Sequence, residues 1–137
     1  MPSAFAASPW SSKHQHGGPV LGLIAYAAET HVADPGLQPV RLAADLFRAV
    51  PLGPLEAKTT TIRRGRRIEV VEVSIFGEGR EVSRSHALFL RGSPGDGFES
   101  EDVPIAGPEG LETRSMIPEE LRDGIRPGFH THVEVRW

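Results

Sequence analysis

The sequence predicts an α+β domain in which an antiparallel sheet wraps around one long apolar helix. Three observations lead there. A single stretch near the start is apolar on every face of a 3.6-residue repeat, and four later stretches alternate with period two between Gly/Pro turns. The 137 residues, 39% of them hydrophobic, suit one core of ordinary size.

Taken in order, the helix comes first. From Gly17 to His31 the residues Val20, Leu21, Leu23, Ile24, Ala25, Tyr26, Ala27 and Ala28 surround the helix axis, with no charge before Glu29. Such a helix is expected to be buried on all sides. Pro19 sits in the first turn, where its missing N–H costs nothing, and Asp34-Pro35-Gly36 ends the segment.

The period then changes to two. Leu42, Ala44 and Leu46 alternate with Ala43, Asp45 and Phe47, and Pro51-Leu52-Gly53-Pro54 makes a turn. Leu55 to Arg64 is a Thr-rich strand closed by Arg64-Gly65-Arg66, and Ile68, Val70, Val73 and Ile75 mark a third. Gly77-Glu78-Gly79 turns the chain into a fourth, Val82 to Leu90. Four consecutive strands predict an antiparallel meander, and a sheet covering such a helix is the hotdog arrangement.

Residues 92–130 hold seven glycines and five prolines without a sustained period, and read as a connector with one short helix near Pro118–Asp123. They carry nine acids and three bases, so this segment has a net charge of -6 while the rest of the chain is +3, within a total of -3. Thr131, Val133, Val135 and Trp137 alternate again. The expected organisation is a folded body over 1–91, an acidic linker over 92–130, and a strand at 131–137 that returns to the sheet or opens a second, missing unit.

Charge and composition narrow the function classes. A mildly basic body with an acidic tail does not fit nucleic-acid binding, though it can hold a small anion. The absence of cysteine excludes disulfides, a thiol nucleophile and Cys-ligated zinc. The longest apolar run, Pro19 to Ala28, is about half of the ~20 residues that a spanning helix needs, and no basic signal region precedes it. A soluble, cytoplasmic protein without membrane partners is the expectation.

Several motifs in order carry a resemblance. Pro9-Trp10, His16-Gly17-Gly18-Pro19, Phe47-Arg48-Ala49-Val50-Pro51-Leu52-Gly53-Pro54, Arg66-Arg67, Gly79-Arg80-Glu81-Val82 and Ala87-Leu88-Phe89-Leu90-Arg91 resemble the N-terminal half of thioesterase-II-like acyl-CoA thioesterases, over roughly residues 5–91. Phe129 to Trp137 looks like the join to the second half. The resemblance implies one unit of a double hotdog, a pseudo-dimer that hydrolyses fatty acyl-CoA thioesters. It also implies a partner, because a lone hotdog sheet leaves a strand edge open. That partner is a second copy of the chain or a separately encoded unit.

Thioester hydrolysis needs donors for an oxyanion and a group that activates water. Gly17 and Gly18 open the helix with backbone N–H groups, and His16 stands beside them, so these three are the candidate catalytic positions. The plainer alternative makes the glycines only a tight entry into the helix. Gln15, Tyr26, Arg64 and Arg66 are candidate substrate contacts, the arginines through coenzyme A phosphates, with a solvated hairpin tip as their alternative. Single-unit hotdog thioesterases place an Asp or Glu two to three turns into this helix. Ala25, Tyr26, Ala27 and Ala28 stand there instead, and Glu29 is expected to face solvent. The water-activating residues of the double-hotdog family belong to the second unit and map to no position in this chain.

No cofactor and no metal site are expected. His14 with His16, and His130 with His132, have spacing that suits two ligands on a strand face, but neither pair has an obvious carboxylate nearby. His86 is expected to be a satisfied structural histidine. A hotdog hydratase would need an Asp-Pro-x-His-like pattern, and Asp34-Pro35 leads into Gly36-Leu37. A non-catalytic acyl-binding half remains the alternative to an enzyme.

Overall fold

Seven principal elements organise the computed structural model, which describes residues 2–92 and 107–136. They are α1 (Gly17–His31), β1 (Leu37–Leu46), β2 (Leu55–Arg64), β3 (Ile68–Gly77), β4 (Arg80–Arg91), β5 (Thr113–Ser115) and β6 (Glu134–Arg136). Asp96, Glu99, Glu101 and Asp102 of the expected linker, and Trp137, lie outside the described residues.

The α+β class and the antiparallel sheet follow the alternation in the sequence, but the strand order does not form the expected meander. The sheet runs β1-β4-β3-β2, so β1 skips two strands and pairs with β4. Composition explains this order. β3 and β4 bury every second residue, including Val71, Val73, Ile75, Ala87 and Phe89, and take the centre. β2, rich in Thr, Lys and Arg, is mostly exposed, and β1 contains Pro39 beside a register shift; both suit an edge. The β3–β4 hairpin turns through Glu78 (φ 52°) and Gly79 (φ 72°), the positive pair that a two-residue turn requires.

α1 lies chiefly over β3 and β2. It is not buried all round as its composition predicts. Val20, Ile24 and Ala28 form the buried stripe, Leu23 and Ala27 pack beside it, while Leu21 is 40% and Tyr26 69% exposed. Four strands cover one side of the helix, and among the described residues nothing covers Leu21 and Tyr26 on the other. On β1, Leu42 and Leu46 share the register face of the core yet remain 39% and 46% exposed, because the helix lies toward the opposite edge.

Three buried polar groups sit within this apolar layer. Ser85 Oγ donates to the Val73 carbonyl at 3.0 Å, and Glu69 accepts from Arg64 and Thr61. Ser83 Oγ has no hydrogen-bond partner among the described residues. His86, expected to be structural, stands half exposed with Nε2 3.4 Å from Glu72 Oε2.

The segment expected to be a connector with one short helix near Pro118–Asp123 has further structure in its described part. β5 pairs with β6 in a separate two-stranded ladder, so the terminal strand does not rejoin the main sheet. A 3-10 turn covers Glu119–Leu121, and another, Phe129–Thr131, docks on the N-terminal arm through Phe129 N–H to the Ala7 carbonyl at 3.2 Å.

Two isoleucines separate burial from side-chain type. Ile75→Ala, at a fully buried site, is expected to lower the unfolding free energy by about 2–5 kcal/mol. Ile62→Ala, at a position 55% exposed, costs less than about 1 kcal/mol. Urea denaturation of the two variants measures the contrast; equal losses contradict the packing described.

Candidate functional site

The start of α1 is built by an accounting of backbone donors. The first N–H groups of a helix have no carbonyl one turn back to bond. His16 is the N-cap, with extended backbone, and its Nδ1 accepts from Gly18 N–H at 3.0 Å. Pro19 has no N–H to satisfy. Gly17 N–H is left over: nothing among the described residues accepts from it.

Gly17 lines a cavity of about 270 Å³ with Trp10, His14, Gln15, Leu46, Arg48 and Val50 among its other walls. The cavity is largely apolar, and among the described residues no carboxylate lines it. A Cβ added at Gly17 would meet only Leu46 Cδ1, at 3.7 Å. Space at Gly18 is different. A Cβ there would lie 2.6 Å from Phe129 Cε1, so the aromatic ring occupies the space beside Gly18. With its N–H engaged by His16 and its face covered by Phe129, Gly18 offers no free donor.

Gln15 is fixed on both sides. Its N–H donates to the Val50 carbonyl at 2.8 Å and its Nε2 to the Pro51 carbonyl at 2.9 Å. It forms part of the Gly17 cavity and of a second one, about 380 Å³, lined by Ala6, Pro19, Leu23, Pro54 and Leu55. The N-terminal arm, α1 and the β1–β2 connection therefore meet at Gln15.

The remaining candidates lie elsewhere. Tyr26 projects from the uncovered side of α1. Arg64 is tied to Glu69, its Nε and Nη2 lying 3.1 and 2.9 Å from Oε1, and Glu69 is only 3% exposed. Arg66 is exposed and its carbonyl accepts from Arg91 Nε. A cavity shared by Arg64 and Gly65 with Ala33, Asp34 and Leu37 places this hairpin past the C-terminal end of α1. Fifteen helical residues, about 22 Å, separate it from Gly17. The structure thus gathers Gln15, His16, Gly17 and Gly18 and leaves Tyr26, Arg64 and Arg66 apart. Glu29 is exposed, and among the described residues no group of three or more His, Asp or Glu is placed to hold a metal.

Sequence reasoning missed the aromatic packing around His16. Its ring stacks on Phe129 at 4.9 Å and lies 6.1 Å from Trp10, with His130 at 6.3 Å. His130 and His132, whose spacing lacked a carboxylate partner, play structural parts: His130 is buried with Nε2 on the Arg126 carbonyl. At the other end of α1, His31 bonds Thr59 through Nδ1 at 2.8 Å and Thr61 through Nε2 at 2.9 Å. No spacing along the chain announced that bridge.

Burial, with His130 adding to it, holds the His16 imidazole below its ordinary pKa of 6.5. Its neutral form is the one that caps Gly18, so the fold binds fewer protons than the unfolded chain. This contribution to stability is complete above about pH 6.5 and is lost as pH falls toward the lowered value. His16→Ser supplies a hydroxyl cap that does not titrate. Thermal midpoints measured from pH 8 to 5 are expected to fall less steeply in that variant than in the native chain; parallel curves contradict the role of His16.

Comparison with known proteins gives this geometry its context. The chain is 33% identical over 127 aligned residues to uncharacterized proteins of Mycobacterium tuberculosis and Mycobacterium bovis, covering 82% of this chain and 43% of theirs. It spans less than half the length of these relatives. Solved structures share the fold. A thioesterase from Haemophilus influenzae matches with a TM-score of 0.54 and 23% identity, over 62% of each chain. A hypothetical thioesterase from Streptococcus pneumoniae, solved with coenzyme A, matches at 0.52 and 24%, over 58% of this chain and 67% of that one. A Streptococcus mutans protein bound to acetyl-CoA matches at 0.53 and 18%, over 58% and 68%. With residues 6–90 matching the family model for it, this chain belongs to the acyl-CoA thioesterase N-terminal domain family.

Proposed function

We propose that the chain is a thioesterase-II-like hotdog unit that binds fatty acyl-CoA thioesters at the start of α1 and hydrolyses them at an interface with a second hotdog unit. The observation that carries this reading is the unengaged N–H of Gly17, a residue that lines a largely apolar cavity. A thioester carbonyl accepts from that N–H at the positive end of the helix, and the bond strengthens as the oxygen becomes an oxyanion.

A second copy of the chain packs as the second unit, and since the family's water-activating residues map to no position here, another polar side chain of that copy activates the water. The uncovered side of α1, with Leu21 and Tyr26, is apolar surface of the kind that a partner buries. The relatives' greater length is consistent with a second unit in those proteins. Arg64 and Arg66, far from Gly17 in their own protomer, serve coenzyme A phosphates of the partner's site in this arrangement.

The missing carboxylate favours a second reading, a non-catalytic half that holds acyl groups while another unit activates water. Both readings depend on Gly17, and its position offers a clean test. Gly17 is the first helical residue and His16 before it is already extended, φ -70° and ψ 148°, so Gly17→Pro removes the N–H where proline is best tolerated. Wild-type and variant chains are assayed against acyl-CoAs of increasing chain length, with circular dichroism as the check on folding. A loss of at least about 100-fold in turnover supports the enzyme. Lost binding without turnover in either chain supports the acyl-binding half, and unchanged binding and turnover overturn both.

A further inference from the structure

The outer face of the sheet, turned away from α1, carries a pattern that thioester chemistry does not use. Antiparallel register sets Arg41 of β1, Leu88 of β4, Val70 of β3 and Arg63 of β2 in one row. Paired residues point to the same side of a sheet, and the adjacent residues Val71 and Ala87 are buried in the core, so this row faces outward. The next row toward the β2–β3 connection adds Ile68 and Leu90. Four aliphatic side chains thus occupy the centre and a guanidinium stands at each end. The bulge residues Val40 and Ile62, at the two edges, are 54% and 55% exposed.

Toward the β2–β3 connection the charge beside this strip has one sign. Arg66 and Arg67 follow in the β2–β3 connection, both exposed, and none of Arg41, Arg63, Arg66 and Arg67 forms an ion pair among the described residues. The nearest acid on this face, Glu72, lies one row away with its Oε2 3.4 Å from His86 Nε2.

We propose that this face docks an acidic amphipathic helix of another protein, with its apolar stripe on Val70 and Leu88 and its flanking carboxylates on Arg41 and Arg63. Arg41 and Arg63 stand on the two outer strands, three strand spacings or about 14 Å apart. A helix with its side chains is about 10–12 Å across, so it lies between them with both flanks in reach. An aliphatic centre with a charged rim is how a protein interface is built. A second copy seated face to face would bring four more guanidiniums onto the same strip. A membrane surface fits less well, since the strip has no Trp, Tyr or Phe to anchor it in the interfacial layer.

The test uses the full chain and two helical peptides that share one leucine face, flanked by Glu in one and by Lys in the other. Fluorescence anisotropy measures binding and amide chemical shifts locate it. The Glu peptide is expected to bind at least about tenfold more tightly than the Lys peptide, to weaken as salt screens the charges, and to shift residues around Val70 and Leu88. Arg41→Glu with Arg63→Glu, both at exposed positions, is expected to reverse the preference while thermal melting stays unchanged. Equal binding of the two peptides, or shifts confined to α1, overturns the proposal. So does tighter, arginine-dependent binding to phosphatidylserine vesicles than to the Glu peptide, or self-association that the double variant abolishes. None of these readouts depends on thioester hydrolysis.

Discussion

An apolar helix resting on a sheet that covers one side of it is the constraint from which the other features follow. Val20, Ile24 and Ala28 are held against the central strands, and their burial fixes the direction in which α1 begins. The same packing leaves Leu21 and Tyr26 facing outward, with Leu42 and Leu46 open along β1. Large apolar side chains left exposed are the surface that the proposed second unit would cover.

That site is defined by what the local chain has already satisfied. His16 takes one helix donor, Pro19 removes another, and the N–H of Gly17 is left over, in a residue that lines a cavity with no carboxylate among the described residues. One donor and an apolar pocket can hold a carbonyl oxygen, but activation of water needs a basic or polar group from elsewhere. The aromatic contacts of His16 with Phe129 and Trp10 keep the cap in place, tying residues near the end of the chain to the start of the helix.

Much of the fold was legible because alternation and turn chemistry are local. The limits of β2, the Glu78-Gly79 turn and the start of α1 at His16 could all be read from neighbouring residues. Strand order could not, since alternation says which face is buried and not which strand is adjacent; Pro39 was the available sign that β1 belongs at an edge. The helix was misread because a composition apolar on all sides does not say how much surface the sheet can reach. At the site, the glycine-flanked entry was visible, whereas the loss of Gly18 as a free donor depends on Phe129, a contact across most of the chain. The separation of Arg64 from Gly17 follows from the length of α1 and the direction of β2, neither of which a motif records.

The claim that a second copy covers the exposed side of α1 is tested most directly by static light scattering of the purified chain at micromolar concentration, beside the variant Leu21→Glu. The account predicts twice the 14.9 kDa chain mass for the native protein and a single-chain mass for the variant. A native protein of single-chain mass, or a dimer that Leu21→Glu leaves intact, would contradict it.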